Sequence, residues 1–425
     1  MKDLFPGHFK ESEKSLKNVW NSSLFVFDAN ILLNLYRYSD TTRNEFLRIL
    51  NKIKGKAWLP HRAAEEYLNN RLSVIDQQEK SYDDTKNSID SLRRDLENAR
   101  QHPFVSKEVM EKANSIFEEL IHELEKSKLV HTTRISNDEI KDSIASIFEV
   151  SVGLPYEKER LDKLIIEGED RYKQKVPPGF KDGSKSGDSD VFSEKCRKYG
   201  DLIVWTQVID KAIEIKKGVV FVTDDKKEDW WEKFKGKTIG PRPELVKEFK
   251  DRANQTFHMY QADRFLELAR ENLGEQVSEE IVEEIREVRR LDKLAYRRMK
   301  EIELYTQRKM QLMQSTKELE KVRHQVSKYE KEMYILQEQR HILEREKSRL
   351  KEHRNNIYIE NGDSHIDENQ LTEHYYMITK KCEEIEHRVN NSQVKYQDLR
   401  QHMVELEQDI GDNMKFIEQI NLANS

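Results

Sequence analysis

The chain has little of what holds small secreted or membrane proteins together. Its 425 residues include only two cysteines, Cys196 and Cys382, which lie far apart and match no metal-ligand spacing. That excludes a disulfide framework and a cysteine-based zinc site. No apolar run approaches the roughly 20 residues that cross a bilayer. Met1 to Trp20 carry no apolar stretch ahead of a cleavage signal, so the expectation is a reduced, cytoplasmic protein with no membrane partner. There is no basic surplus either. With a net charge of −6, a polyanion would have to be met by a local basic patch or by metal ions. The thirteen histidines include no H-E-x-x-H or comparable zinc spacing. Proline is missing after Pro243, and only Gly274, Gly362 and Gly411 follow it among the glycines, which marks a change of structure between Asn272 and Val277.

What is present divides at that boundary. Charged and hydrophobic residues each make up 36% of the chain, too polar a balance for one compact globule, so part of the mass is expected as solvated helix. Residues 1–272 alternate strand-like and helical patterns, as in an α/β domain with a central parallel sheet. A charged, helix-favouring insertion runs from about 68 to 172, with one break at His102-Pro103. Residues 277–425 read as two long helices, about Val277–Arg354 and Asn369–Asn421. Their apolar stripes, from Leu319 to Leu350 and from Leu371 to Ile420, keep the alternating three-and-four spacing of a coiled-coil seam. The turn signal Asn361-Gly362-Asp363 makes an antiparallel hairpin the simplest arrangement, with an intermolecular coiled coil as the rival. Either form would offer this domain to a second copy of the chain or to a protein partner.

Chemistry is concentrated at the ends of two strands. Leu24 to Phe27 form an apolar run that delivers Asp28 and Asn30, and Gly218 to Val222 deliver Thr223, Asp224 and Asp225. A buried charge without a partner is costly, so such acids need a counter-ion or a capping role; Asp28 alone is as well placed to cap a helix as to bind a cation. Glu65 and Glu66 follow Trp58-Leu59-Pro60 on a helix, and Asp201 opens another after Tyr199-Gly200. In an open parallel sheet, strand ends and the starts of the following helices line one crevice, so these acids can converge. Such a cluster suits hard divalent cations, Mg2+ or Mn2+, which activate water for phosphodiester cleavage.

The segments FVFDANILLNLYRYS, WLPHRAAEEYLNNR, PPGFKD, YGDLIVW and FVTDDKKEDWW, in this order over about residues 24–268, resemble the PIN-like nucleases of bacteria. The branch they look like carries a large helical insertion. The resemblance implies a metal-dependent endonuclease holding two ions and acting on RNA more than DNA. It assigns Asp28, Glu66 (which directly precedes Tyr67), Asp201 and Asp225 as catalytic metal ligands, with Asp224 as the competitor of Asp225. Asn30, Thr223 and Asp182 would support them. Arg71 and Lys181, which sit inside the resembling motifs, are phosphate-contact candidates together with Lys185, Lys226 and Lys227, and Trp205, Trp230 and Trp231 are stacking candidates. The resemblance also implies a toxin-like or phage-defence role.

Two other functions fit parts of the pattern. A phosphatase of the haloacid dehalogenase type also starts from a strand and an aspartate, but it needs a second acid where this chain has Asn30. A coiled-coil scaffold whose PIN-like module binds nucleic acid without cleaving it would use the helical domain and leave the acids idle.

Overall fold

Two short runs, LFVF and VVFV, are rich in branched and aromatic residues and have no polar face, which suits them only to the middle of a covered sheet. They form β1 (Leu24–Phe27) and β3 (Val219–Val222), the central pair of a four-stranded sheet ordered β2-β1-β3-β6. The edge strands are β2 (Ala57–Trp58) and β6 (Phe257–Tyr260), and every pairing is parallel. The register sets Phe27 beside Val222 and Val222 beside Tyr260. The three longer strands therefore end flush: Asp28 N donates to Val222 O and Thr223 N to Tyr260 O, both at 3.0 Å.

These observations come from a computed structural model that describes residues 1, 4–9, 19–97, 105–183, 191–275, 277–360 and 365–423. It divides into two units, Met1–Lys293 and Leu294–Ser425.

Within the first unit, aromatic clusters cover both faces of the sheet. Phe25, Phe27 and Phe46 surround Phe265 at centroid distances of 5.9, 5.4 and 5.8 Å. Phe221 is in register with Val26, one residue out of step with Phe25 and Phe27, so its ring lies on the opposite face. There it stacks on Trp230 at 5.2 Å, while Trp205 meets Phe257 edge-on at 4.9 Å. Trp205 belongs to the helix Gly200–Ile215, which is buried along most of its length and stops where Lys216 adopts a left-handed conformation. Each fully buried ring contributes about 1.5–3 kcal/mol, so both faces are firmly held beneath the strand ends.

Between β2 and β3 the chain is mainly helical, as the charged insertion predicts. His61–Glu97 and Lys107–Ser136 run antiparallel, linked by Lys128 to Asp83 at 2.7 Å, Asn114 to Glu97 at 3.1 Å, and Lys86 to Glu125. The break at His102-Pro103 lies outside the described residues. Glu139–Phe148 buries Ile140, Ile144, Ile147 and Phe148, and Lys158–Lys173 follows. After β3 comes a hairpin that the sequence pattern did not signal, β4 (Trp231–Phe234) and β5 (Lys237–Pro241). Its two turn residues, Lys235 and Gly236, both have positive φ (47° and 79°), the geometry of a type I′ turn.

The long helix Glu279–Glu360 starts in the first unit. In the second unit it pairs antiparallel with His365–Ala423. Arg308 bonds Asn413, Arg323 bonds Glu407, Tyr396 bonds Glu330 and Arg340 faces Glu386, so partners descend along one helix as they ascend the other. Leu319, Val322, Val326 and Leu406 form its buried seam. The hairpin is thus closed within one chain; its turn at Asn361-Gly362-Asp363 lies outside the described residues. No helix among the described residues is long and apolar enough to cross a membrane.

Candidate functional site

Asp28 leaves β1 in an extended conformation and caps the helix Ala29–Asn34, its Oδ1 accepting from Ala29 N at 2.8 Å. Its Oδ2 accepts from Asn30 Nδ2 at 2.6 Å and from Thr223 Oγ1 at 2.7 Å. Asn30 also donates to Thr223 Oγ1 at 3.0 Å, and its Oδ1 accepts from Asp224 N at 2.9 Å. Thr223 Oγ1 accepts a further bond from Asp225 N at 3.0 Å. Asn30 and Thr223 thereby tie the turn after β1 to the segment after β3, with every polar atom of both side chains used.

Beyond β3 the side chains still part to two sides, while Thr223 Oγ1 and Asp225 Oδ1 accept from the backbone N two residues on, Asp225 N at 3.0 Å and Lys227 N at 2.7 Å. Thr223, Asp225 and Lys227 turn toward Asp28. Asp224 and Lys226 turn away: Asp224 accepts from Asn34 Nδ2 and from Ala262 N, each at 3.1 Å, and Arg289 lies 3.8 Å from it. Lys226 donates to the carbonyl of Arg289. Asp224 is thus the acid that secures the start of the helix Ala262–Leu273.

The other acids do act on Asp28. Burial first, then the charges of Glu66, Asp201 and Asp225, push its carboxyl from 3.8 up to about 8, against the Thr223 hydrogen bond. Asp225 is raised by burial and by Asp201, while Lys227 opposes the rise. Glu66 is half-buried on the helix His61–Glu97, whereas its neighbour Glu65 is exposed and paired with Arg62 at 2.7 Å. Asp201 lies in the first turn of Gly200–Ile215, fixed by Trp230 Nε1 at 3.3 Å. Asp182 is buried in the short 3-10 turn Phe180–Asp182. The glycine before that turn is obligatory: Gly179 has φ 87°, and a Cβ there would stand 2.2 Å from Tyr172 Oη and 2.9 Å from Asp201 Cβ.

The candidate cations are distributed differently. Lys227 Nζ sits among Asp182, Asp225 and Asp201 at 2.8, 3.1 and 3.3 Å. Burial disfavours its charge, but those three carboxylates outweigh it and hold the ammonium protonated. Arg71 is committed to Asp138 at 2.7 Å, an acid that also accepts from Tyr36 Oη and caps the helix Glu139–Phe148. Lys181 is half exposed beside Glu228 at 3.4 Å. Lys185 lies outside the described residues. The three tryptophans considered for stacking are all buried; Trp230 and Trp231 serve instead as donors, the latter to Asp225 O at 2.6 Å.

One residue had no sequence signal. Asp229 is fully buried, its Oδ2 accepts from Lys181 N at 2.9 Å, and its Oδ1 has no hydrogen-bond partner among the described residues. Burial raises it to about 6. It anchors the loop that carries Asp182. A separate cavity of about 500 Å³, lined among others by Phe5, His8, Trp231, Arg242 and Lys247, includes none of these site acids.

The donor set is all oxygen, and burial together with repulsion among the acids drives Asp28 toward protonation. Both properties fit a hard divalent cation. As the side chains stand, no three His, Cys, Asp or Glu among the described residues are gathered closely enough to hold a metal ion, and the ammonium of Lys227 lies among three of the acids. A family model described as a PIN like domain matches residues 24–245, more than half of the chain and a span that includes Asp28, Glu66, Asp201 and Asp225. No curated protein and no solved structure matches the chain.

Proposed function

The chain belongs to the PIN-like domain family, and from that premise we propose that it is a metal-dependent endonuclease that hydrolyses phosphodiester bonds, RNA in preference to DNA. The observation that carries this reading is the electrostatic convergence of Glu66, Asp201 and Asp225 on Asp28 at the flush ends of β1 and β3. In this reading Asp28, Glu66, Asp201 and Asp225 hold Mg2+ or Mn2+, which when bound supplies Lewis acidity and neutralises charge at the phosphate. Asn30 and Thr223 keep Asp28 oriented, and Asn30 also counts against phosphatase chemistry, because an amide donor to Asp28 Oδ2 cannot act as the second acid.

Trp230 and Gly179 hold Asp201 from two sides. Lys181, half exposed on the Asp182 loop, is the cation best placed to meet a phosphate. The bacterial branch with a helical insertion, and its toxin-like or phage-defence role, complete the proposal. The full chain should cleave single-stranded RNA in Mn2+ or Mg2+, and Asp28→Asn should abolish both cleavage and ion binding. Absence of cleavage of RNA and DNA, with ion binding unchanged by Asp28→Asn, would refute it. Growth arrest on expression of the native chain, relieved by Asp201→Ala, tests the cellular role.

A further inference from the structure

Lys227 occupies the middle of the acidic site rather than its rim. Its three carboxylate partners come from separate parts of the chain: the turn Phe180–Asp182, the helix Gly200–Ile215 and the segment after β3. The same segment delivers both charge signs, since Lys227 N donates to Asp225 Oδ1 at 2.7 Å while its Nζ meets Asp225 Oδ2. Asp182 and Lys227 side chains are only 6% and 19% exposed, so water does little to relieve the repulsion among three acids there. The Asp28 oxygens, in contrast, take hydrogen bonds from neutral donors: Ala29 N, Asn30 and Thr223.

Lys227 Nζ fills the space between Asp182 Oδ2, Asp201 Oδ2 and Asp225 Oδ2, so a divalent ion cannot sit at the centre of the same three oxygens. Carboxylates stand near 3 Å from Lys227 Nζ, whereas Mg2+ requires oxygens at about 2.0–2.1 Å in a near-octahedral shell. Bringing a second ion in would mean expelling a side chain whose own backbone N–H is bonded to Asp225.

We propose that Lys227 is the built-in second cation of the site: it holds Asp182, Asp201 and Asp225 in place of a second divalent ion and leaves one ion seat, on the Asp28 and Glu66 side. This rests on the metal-dependent reading above and replaces the two ions that the resemblance implies with one ion and one lysine. In such a site Lys227 is a positioning residue, and the charge it supplies does not depend on metal concentration.

The test counts Mn2+ bound to the full-length chain, by titration calorimetry and by the electron spin resonance signal of free Mn2+. The native protein should bind one ion, Lys227→Met and Lys227→Gln two, Lys227→Arg one, and Asp28→Asn none. Two ions on the native protein overturn the proposal whether or not any variant folds. One ion of unchanged affinity on both Lys227→Met and Lys227→Gln, with far-UV circular dichroism matching the native chain, overturns it as well. Either result leaves the metal-dependent reading standing if Asp28→Asn still abolishes binding. No Mn2+ on the native chain or any variant overturns both together.

Discussion

Replacing Asp28 by asparagine should change stability in a way that reverses with pH. Folding raises the Asp28 carboxyl from 3.8 to about 8, chiefly through burial and then through Glu66, Asp201 and Asp225. Below pH 3.8 the group is neutral in both folded and unfolded chains and contributes nothing. Between 3.8 and 8 the unfolded chain is ionised while the folded one keeps its proton, so stability falls as pH rises, by about 1.4 kcal/mol per pH unit. Above about 8 both states are ionised and the penalty is constant, with a ceiling of about 6 kcal/mol. Asp28 is only half-buried, and solvent screening at that rim brings the working figure to about 2–3 kcal/mol.

Asparagine escapes this penalty but places an amide where Ala29 N, Asn30 and Thr223 all donate, a cost of about 1–2 kcal/mol. The metal-free variant should therefore be the less stable protein below about pH 5 and the more stable by about 1 kcal/mol above about pH 8. Urea unfolding in chelator from about pH 5 to 9, followed by tryptophan fluorescence, measures it. All five tryptophans, Trp20, Trp58, Trp205, Trp230 and Trp231, lie in the first unit, so the signal reports that unit alone. Mn2+ at about a hundred times its dissociation constant should add about 2.7 kcal/mol to the native protein and nothing to the variant. A stability difference that stays constant across the pH range would refute the argument that repulsion and burial, rather than hydrogen bonding, govern Asp28.

Asp224 and Asp225 should separate by readout. Asp224→Ala strips the acceptor from Asn34 and Ala262 N and leaves Arg289 with one partner fewer, costing about 2–4 kcal/mol in urea unfolding. Asp225→Ala should lose RNA cleavage with a stability change under about 1 kcal/mol, because relief of repulsion among the acids offsets the loss of its bonds to Lys227. Gly179→Ala places a methyl against Tyr172 and Asp201 at a positive φ, so the melting temperature should fall, with about 1–3 kcal/mol lost. Arg71→Met leaves Asp138 buried without its ion partner, which should destabilise the first unit by about 3–5 kcal/mol. RNA affinity of the folded Arg71→Met protein, measured by fluorescence anisotropy at a temperature where it remains folded, should equal the native value; a weaker affinity there would make Arg71 a phosphate contact after all.

The fold was legible where one local pattern decides the answer. LFVF and VVFV have no polar face to expose, so they read as central strands, and the heptad stripes of 277–425 read as a seam. That this seam closes within the chain follows from pairs such as Arg323–Glu407 and Arg340–Glu386, which spacing along a single helix cannot reveal. The same limit applies to Arg71. Its place in a resembling motif made it a phosphate-contact candidate, whereas its partner Asp138 lies 67 residues away on the insertion, and nothing near Arg71 in the sequence announces that pairing. Asp229 was hidden for a related reason, since an aspartate between Glu228 and Trp230 reads as a polar turn until the Asp182 loop is laid over it.

The choice between Asp224 and Asp225 shows what local pattern could have given. The register of Phe27 on Val222 sets Thr223 beside Asp28, and alternation then sends Asp225 to the same side and Asp224 to the other. The T-x-D spacing already contains that parity. Carrying it one step further puts Lys227 on the side of Thr223 and Asp225, and Lys226 on the side of Asp224, in keeping with their bonds to Asp182 and to Arg289. The missing premise was that the alternation of sides continues past the end of β3, as the partners of Thr223, Asp224 and Lys227 show. Asn30 ties the start of this segment down: it bonds the backbone of Asp224 across 194 residues, where an unbroken run of charged residues would otherwise read as a loose turn.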